Sequence, residues 1–170
     1  GPDGVVALKV VHEHVAATPG FLERFLREGE VGRTVRHENV VATLATGCDG
    51  GRHRIALEYV EGMSLAAFLL EHARPEPQSV LRLARDVACG LAAAHRAGLI
   101  HRDVKPENVL LARDERRPGG FRAELTDFGL VRSSAHAATT ALTQTSVLMG
   151  TPAYMSPEQA RGEKDLDART

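Results

Sequence analysis

One segment of this 170-residue chain carries the repeat of a long amphipathic helix. From Gln78 to Ala97, the residues Val80, Leu83, Ala84, Val87, Ala88 and Leu91 recur at i, i+3 and i+4, and Gly98 follows in the C′ position. A stripe of that length has to be buried against a second layer. The residues before it read mainly as strands. Val5 to Val11 is β-branched and apolar with one Lys in it. Val40 to Thr46 reads as a strand, Asp49-Gly50-Gly51 as a hairpin turn, and Ile55 to Val60 as the return strand. Between them, Phe21 to Arg36 is predicted helical, with Leu22, Phe25 and Leu26 at core spacing. Gly29 and Gly32 weaken that helix by roughly 1 kcal/mol each relative to Ala. Ser64 is placed to cap a short helix through Leu70. After the long helix, two short strands flank a turn at residues 116–120. The first third is thus a small sheet with one helix, and a lobe boundary is expected near Glu61-Gly62.

Composition removes several function classes. The chain is 43% hydrophobic and 25% charged, as in ordinary globular domains, but only 4% aromatic, so its core must be Leu, Val and Ala. A net charge of −1 leaves no basic excess with which to neutralise phosphates, so no nucleic-acid partner is expected. Cys48 and Cys89 sit in unrelated contexts. Neither a disulfide framework nor a four-ligand zinc site is expected, and a reducing cytoplasm fits. No apolar run approaches a membrane span and no signal peptide opens the chain. That speaks for this segment alone; a longer parent can still be membrane-anchored. Gly1-Pro2 reads either as a cloning scar or, with Asp3-Gly4, as a turn feeding the first strand. The turn is favoured, and in either case the chain is expected to begin mid-fold. Ser133 to Ser146 is polar and aperiodic, a loop.

The strongest chemical signal is His101-Arg102-Asp103-Val104-Lys105-Pro106-Glu107-Asn108, directly after the helix and Leu99-Ile100. Phosphoryl transfer to a hydroxyl needs a carboxylate to orient and deprotonate the acceptor. It also needs a cation for the γ-phosphate and hard oxygen ligands for Mg²⁺. Asp103 can be the base, Lys105 the cation, and the amide oxygen of Asn108 a metal ligand. Asp127-Phe128-Gly129 follows one hairpin later, and Asp127 can chelate a metal bridging the β- and γ-phosphates.

These motifs resemble those of protein kinases, most of all the bacterial branch of the eukaryotic-like Ser/Thr kinases. The resemblance also includes Val6-Ala7-Leu8-Lys9 and Gly150-Thr151-Pro152-Ala153-Tyr154-Met155-Ser156-Pro157-Glu158, falls in the family's order, and covers essentially the whole chain. It implies an α+β, two-lobed kinase-like fold, with residues 1–61 as a partial small lobe and 62–170 as a partial, mostly helical large lobe. It implies ATP and Mg²⁺ as cofactors and Ser or Thr hydroxyls of proteins as acceptors. Lys9 would hold the α- and β-phosphates and pair with Glu28, with Glu23 and Glu30 as rivals for that pairing. Ala7 and Leu110 would sandwich the adenine, Leu57 would be the gatekeeper, and Glu58 and Val60 would offer backbone groups to the adenine edge. Lys105 together with Thr151 resembles the Ser/Thr group rather than tyrosine kinases. Arg102 would bind a phosphate on the activation loop, at Thr143 or Thr145 rather than the less well placed Thr139 and Thr140. Arg132 is either a second phosphate partner or an exposed arginine. Self-association for autophosphorylation is compatible with this reading. Thr151 and Glu158 would shape a protein-substrate platform.

The chain also departs from the pattern. The Gly-rich loop that covers ATP would precede residue 1. Residues 167–170 fall where the central helix of the large lobe is expected to start, and the late Arg partner of Glu158 is absent. Gly32 stands where the family places an apolar side chain packing towards Phe128. The segment Ala112 to Arg122 is long and has no functional account. Such a segment on its own is expected to be poorly stable and poorly active. Two rival readings are a pseudokinase and a small-molecule kinase. The filled catalytic positions argue against the first, and Ser156-Pro157-Glu158 argues against the second.

Overall fold

The computed structural model describes residues 4–16, 20–128, 152–163 and 166–170. The first strand is β1, Val6–Val10. A short helix α1, Glu13–Ala16, precedes α2, Phe21–Gly32. Strands β2, Thr43–Asp49, and β3, Arg52–Glu58, form the predicted hairpin. Gly50 and Gly51 turn it at φ of 54° and 78°, the pair of positive angles that a two-residue type I′ turn requires. β1 pairs antiparallel with the other side of β3, so the sheet order is β1-β3-β2. The pleat divides β1: Ala7 and Lys9 lie on its half-buried face, while Val6, Leu8 and Val10 lie on the exposed one.

Helix α2 covers this sheet through Phe25, which is buried with Val11 and Ile55. The glycines that weaken α2 as a helix are what let it approach. A Cβ on Gly29 would collide with the Thr46 methyl and sit 3.2 Å from Ile55, and one on Gly32 would sit 2.7 Å from the Thr43 hydroxyl. The helix ends at Gly32 rather than at the predicted Arg36. The Thr34 hydroxyl donates to the Val31 carbonyl at 2.7 Å, and Val35 is drawn into a separate cluster with Val40 and Ala93. The second strand also starts later than predicted. Val40 and Val41 pair instead with the later strand Phe121–Leu125: Val41 N–H donates to the Leu125 carbonyl at 2.9 Å.

The second sheet has the order β4-β5-β6, built from Gly62–Ser64, Val109–Arg113 and Phe121–Leu125. Ser64 caps α3, Leu65–Glu71, as its sequence position suggests, its hydroxyl accepting from Ala67 N–H at 3.1 Å. The long helix is α4, Pro77–Arg96, capped by the Glu76 carboxylate on Ser79 N–H and left through Gly98 at φ 76°. Leu83, Val87 and Leu91 pack on the buried Val109, Leu111, Ala123 and Leu125. The rest of the predicted stripe is corrected by the structure. Val80, Ala84 and Ala88 are exposed, and the buried line runs through Asp86, Gly90 and Ala94. Gly90 lacks a side chain, so the helix turns that face inward, against the backbone of Asn39. A short helix α5, Pro157–Ala160, follows a single 3₁₀ turn at Pro152–Tyr154. Among the described residues no helix is long and apolar enough to cross a membrane.

Candidate active site

The string from His101 to Asn108 links the end of α4 to β5 and lies beside the residues that leave β6. His101 is 1% exposed. One ring nitrogen, Nε2, lies 2.9 Å from the Thr126 carbonyl, and the other, Nδ1, accepts from the Asp103 N–H at 3.3 Å. A carbonyl can only accept and an N–H can only donate. The ring is therefore neutral, with its proton on Nε2. Burial pushes its pKa below the ordinary 6.5, against the opposing pull of the Thr126 bond and of the Asp103 and Asp127 charges. Phe128 leans on the same ring at 4.7 Å between centroids. This side chain thus ties the loop bearing Asp103 to the turn bearing Asp127.

Asp103 is held from two sides. Lys105 Nζ lies 2.8 Å from Oδ2, and the Asn108 amide donates to Oδ2 at 3.0 Å and to the Asp103 carbonyl at 2.8 Å. These bonds also settle the Asn108 amide, turning its oxygen away from Asp103. Asp103 and Lys105 keep 31% and 20% of their side chains exposed, so an acceptor can reach the carboxylate. Asn108 itself is buried, and its backbone carbonyl receives the Thr126 N–H at 3.0 Å. That bond fixes how far Asp127 lies from Asn108.

Asp127 meets Lys9 across the two sheets, with 2.7 Å between Nζ and Oδ1. The structure therefore gives Lys9 a carboxylate partner that the sequence reading did not propose. Glu28 has its backbone in α2, but its side chain lies outside the described residues. Asp127 and Arg102 both have left-handed backbone, at φ 57° and 63°. For a side chain like Arg this costs roughly 1–2 kcal/mol, and such strain collects at functional sites. Arg102 is held there by Gln159, whose amide donates to the Arg102 carbonyl. Gln159 belongs to a reciprocal capping box with Ser156 at the start of α5. The Ser-x-x-Gln spacing signals such a box, but nothing in it reveals that the amide also reaches the loop bearing Asp103.

The remaining candidates are spread around this centre. Ala7 lies opposite Leu57 in the β1–β3 register. Leu57, Lys9, Asp127 and Phe128 line one small cavity with Gly29, Gly32 and Thr43. Glu58 donates its N–H to the Ala42 carbonyl at 2.8 Å, and Val60 follows β3. Leu110 lies in β5, opposite Ser64 and Glu124, in the other sheet from Ala7. Glu158 has one buried carboxylate oxygen with no hydrogen-bond partner among the described residues. Its carboxyl is held below the usual range by its own backbone N–H and the Ser156 hydroxyl. Gly129, Arg132, Thr139, Thr140, Thr143, Thr145 and Thr151 lie outside the described residues.

The donor set suits a hard cation that keeps most of its own water. No group of three His, Cys, Asp or Glu side chains gathers among the described residues. One carboxylate, on Asp127, and one oriented amide oxygen, on Asn108, are what Mg²⁺ takes from a protein when phosphate oxygens and waters complete its shell.

Comparisons with known proteins bear on the family of the chain. The chain is 43% identical over 159 residues to the serine/threonine-protein kinase PknL of Mycobacterium tuberculosis, covering 94% of this chain and 38% of that relative. It is 42% identical over 165 residues to the serine/threonine-protein kinase pkn2 of Myxococcus xanthus, covering 97% of this chain and 19% of that relative. The crystal structure of the Mycobacterium tuberculosis PknI kinase domain superposes with a TM-score of 0.73 at 31% identity, over 98% of this chain and 58% of the other. The chain thus spans well under half the length of those curated relatives, and its fold is the two-lobed α+β fold of kinase domains. Residues 2–169 match the protein kinase domain, and the chain belongs to that family.

Proposed function

We propose that the protein carrying this chain transfers the γ-phosphate of ATP to serine or threonine hydroxyls of other proteins. The observation that carries this reading is the Asp103 carboxylate, oriented by Asn108 and paired with Lys105, beside an Asp127 paired with Lys9. In the reaction a new bond forms between the acceptor oxygen and the γ-phosphorus, and the bond from that phosphorus to the β,γ-bridging oxygen breaks. The leaving ADP keeps the electron pair, and the acceptor proton goes to Asp103. Lys105, already against Asp103 and partly exposed, would stabilise the transferring phosphoryl group. Lys9 holds the α- and β-phosphates, with Glu28 as its expected second partner. Ala7 and Leu110 sandwich the adenine, Leu57 is the gatekeeper, and the backbone of Glu58 and Val60 reads the adenine edge. Magnesium, held by Asp127 and the Asn108 oxygen, would neutralise the β- and γ-phosphate charge. Arg102 receives a phosphate on Thr143 or Thr145, placed there by another copy of the chain, and Thr151 and Glu158 frame the protein substrate. The boundary between the small and large lobes falls at Glu61-Gly62, between the two sheets. The supply of ATP places the site in the cytoplasm, whether or not the whole protein is anchored to a membrane.

The test is transfer of labelled γ-phosphate by the full-length protein to a generic protein acceptor, compared with small alcohols and aminoglycosides. Label should enter protein Ser and Thr. Asp103→Asn should lower the rate by about 10²–10⁴-fold with little change in ATP affinity. Transfer to the small molecules alone, or an Asp103→Asn protein with more than half of wild-type turnover, overturns the reading.

A further inference from the structure

The hairpin that had no functional account carries a clamp between the two halves of the site. Arg117 sits in the β5–β6 turn. Its guanidinium donates to both Asp86 oxygens, at 2.9 and 3.1 Å, and to Glu38 at 2.9 Å. Asp114 lies 3.7 Å from its Nε. Asp86 is buried in the middle of α4 and also accepts the Ala123 N–H of β6 at 3.2 Å. Glu38 lies in the connector that leaves α2 for β2. One planar guanidinium therefore joins the long helix, the second sheet and the α2 connector. A lysine cannot reproduce that fork.

The connector is also sewn to β6. Asn39, 2% exposed, donates its side-chain amide to the Ala123 carbonyl at 2.8 Å. Its own carbonyl accepts the Leu125 N–H at 2.9 Å, and Val41 N–H donates to the Leu125 carbonyl at 2.9 Å. Two residues beyond Leu125 stands Asp127. On the other side, α2 packs on the sheet that carries Lys9. The approach of Lys9 to Asp127 therefore depends on how the connector sits against β6. Of the contacts that hold it, the Arg117–Glu38 pair is one that a side-chain substitution removes without opening a buried position, because Glu38 is 59% exposed.

We propose that Arg117, with Glu38 and Asp86, is a positioning residue for ATP binding: it sets the register of the α2 connector on β6, and through it the Lys9–Asp127 approach. The proposal rests on the kinase reading above. The experiment uses the full-length protein and its Glu38→Gln, Arg117→Ala, Arg117→Lys and Arg116→Ala variants. Arg116 is the control, because it lies in the same turn with an 87% exposed side chain and bonds to Asp114. Expected for Glu38→Gln and both Arg117 variants is a rise in KM for ATP of about three- to tenfold, with kcat at saturating ATP within about twofold. Arg117→Lys should fail to restore the wild-type value. Amide exchange at Val41 and Leu125 should quicken in these variants and not in Arg116→Ala. Glu38→Gln should leave the melting temperature in place, which separates positioning from simple destabilisation. An unchanged KM for ATP in both Glu38→Gln and Arg117→Ala, or unchanged exchange at Val41 and Leu125, overturns the proposal while leaving the kinase reading intact if wild type transfers phosphate. A wild-type protein that neither binds ATP nor transfers phosphate overturns both.

Discussion

Replacing Gly90 by alanine sets two physical effects against each other in the middle of α4. By helix propensity alone the change should stabilise by about 1 kcal/mol. The structure argues the opposite. A Cβ on Gly90 would sit 3.0 Å from Leu125 Cδ1 and 3.3 Å from the Asn39 carbonyl carbon, and nearer still to that carbonyl's oxygen. The oxygen accepts the Leu125 N–H at 2.9 Å, and Leu125 is fully buried. The closest atom is the backbone oxygen of Asn39, so no rotamer change relieves that contact. Overpacking of this kind costs about 1–3 kcal/mol, and a buried hydrogen bond left poorly made adds about 1–3 kcal/mol. The steric side wins, by about 1–5 kcal/mol net of the propensity gain. At about 2–4 °C per kcal/mol for a chain of this size, the melting temperature should fall by roughly 2–20 °C. Thermal unfolding of the longest chain that carries this segment is the assay. Ala88→Gly, at an exposed position of the same helix, reports the propensity term alone. A Gly90→Ala protein as stable as wild type, or more so, refutes the claim that α4 and the Asn39 backbone are in tight contact.

Lys9→Met and Asp127→Asn should each abolish transfer by different routes, one removing a phosphate clamp and the other a metal ligand. Exchanging Mg²⁺ for Mn²⁺ should partly restore the second alone, and equal rescue of both in a turnover assay contradicts separate roles. The His101 ring has its pKa pushed down by burial from 6.5 and is neutral when folded. As pH falls below about 6.5 the unfolded chain takes up a proton that the folded one refuses. Stability should therefore drop from pH 6.5 downward until the folded ring also titrates. Denaturant melts across that range should show a flatter profile for His101→Gln, and identical profiles speak against a buried neutral ring. Active full-length protein should carry phosphate on Thr143, Thr145 or both, and its Asp103→Asn form should not. Mass spectrometry that finds this loop unmodified in fully active protein counts against the assigned role of Arg102.

Much of the candidate site was readable from residue order because its groups are close in the chain. Asp103, Lys105 and Asn108 fall within six residues, and one short loop brings all three together. The Gly50-Gly51 turn, the Ser64 cap and the Gly98 stop were legible for the same reason: each depends on the backbone angles or hydrogen bonds of its immediate neighbours. The same holds for the existence of α4, since a sustained 3.6-residue period needs no partner to be recognised.

What the tertiary structure decided is which distant groups meet. The period of α4 identified Leu83, Val87 and Leu91 as core. It could not show that Asp86 and Gly90 share the buried face and leave Val80 exposed, because that rotation is set by the Asn39 backbone across the interface. Val40 and Val41 have strand composition, but their hydrogen bonds go to β6, a pairing that no local pattern encodes. Gly29 and Gly32 read as defects in a helix until the sheet beneath them shows that they permit close packing. Arg117 belongs to the segment from Ala112 to Arg122, for which residue order alone offered no functional account. Its weight comes from Glu38 and Asp86, 79 and 31 positions away, and only the folded chain brings those carboxylates to one guanidinium. Residue order brought the candidate groups Asp103, Lys105 and Asn108 into view because the loop that gathers them is short. The seam that holds Lys9 against Asp127 was set by the fold, because backbone and side chains from four separate segments have to close on one another before it exists.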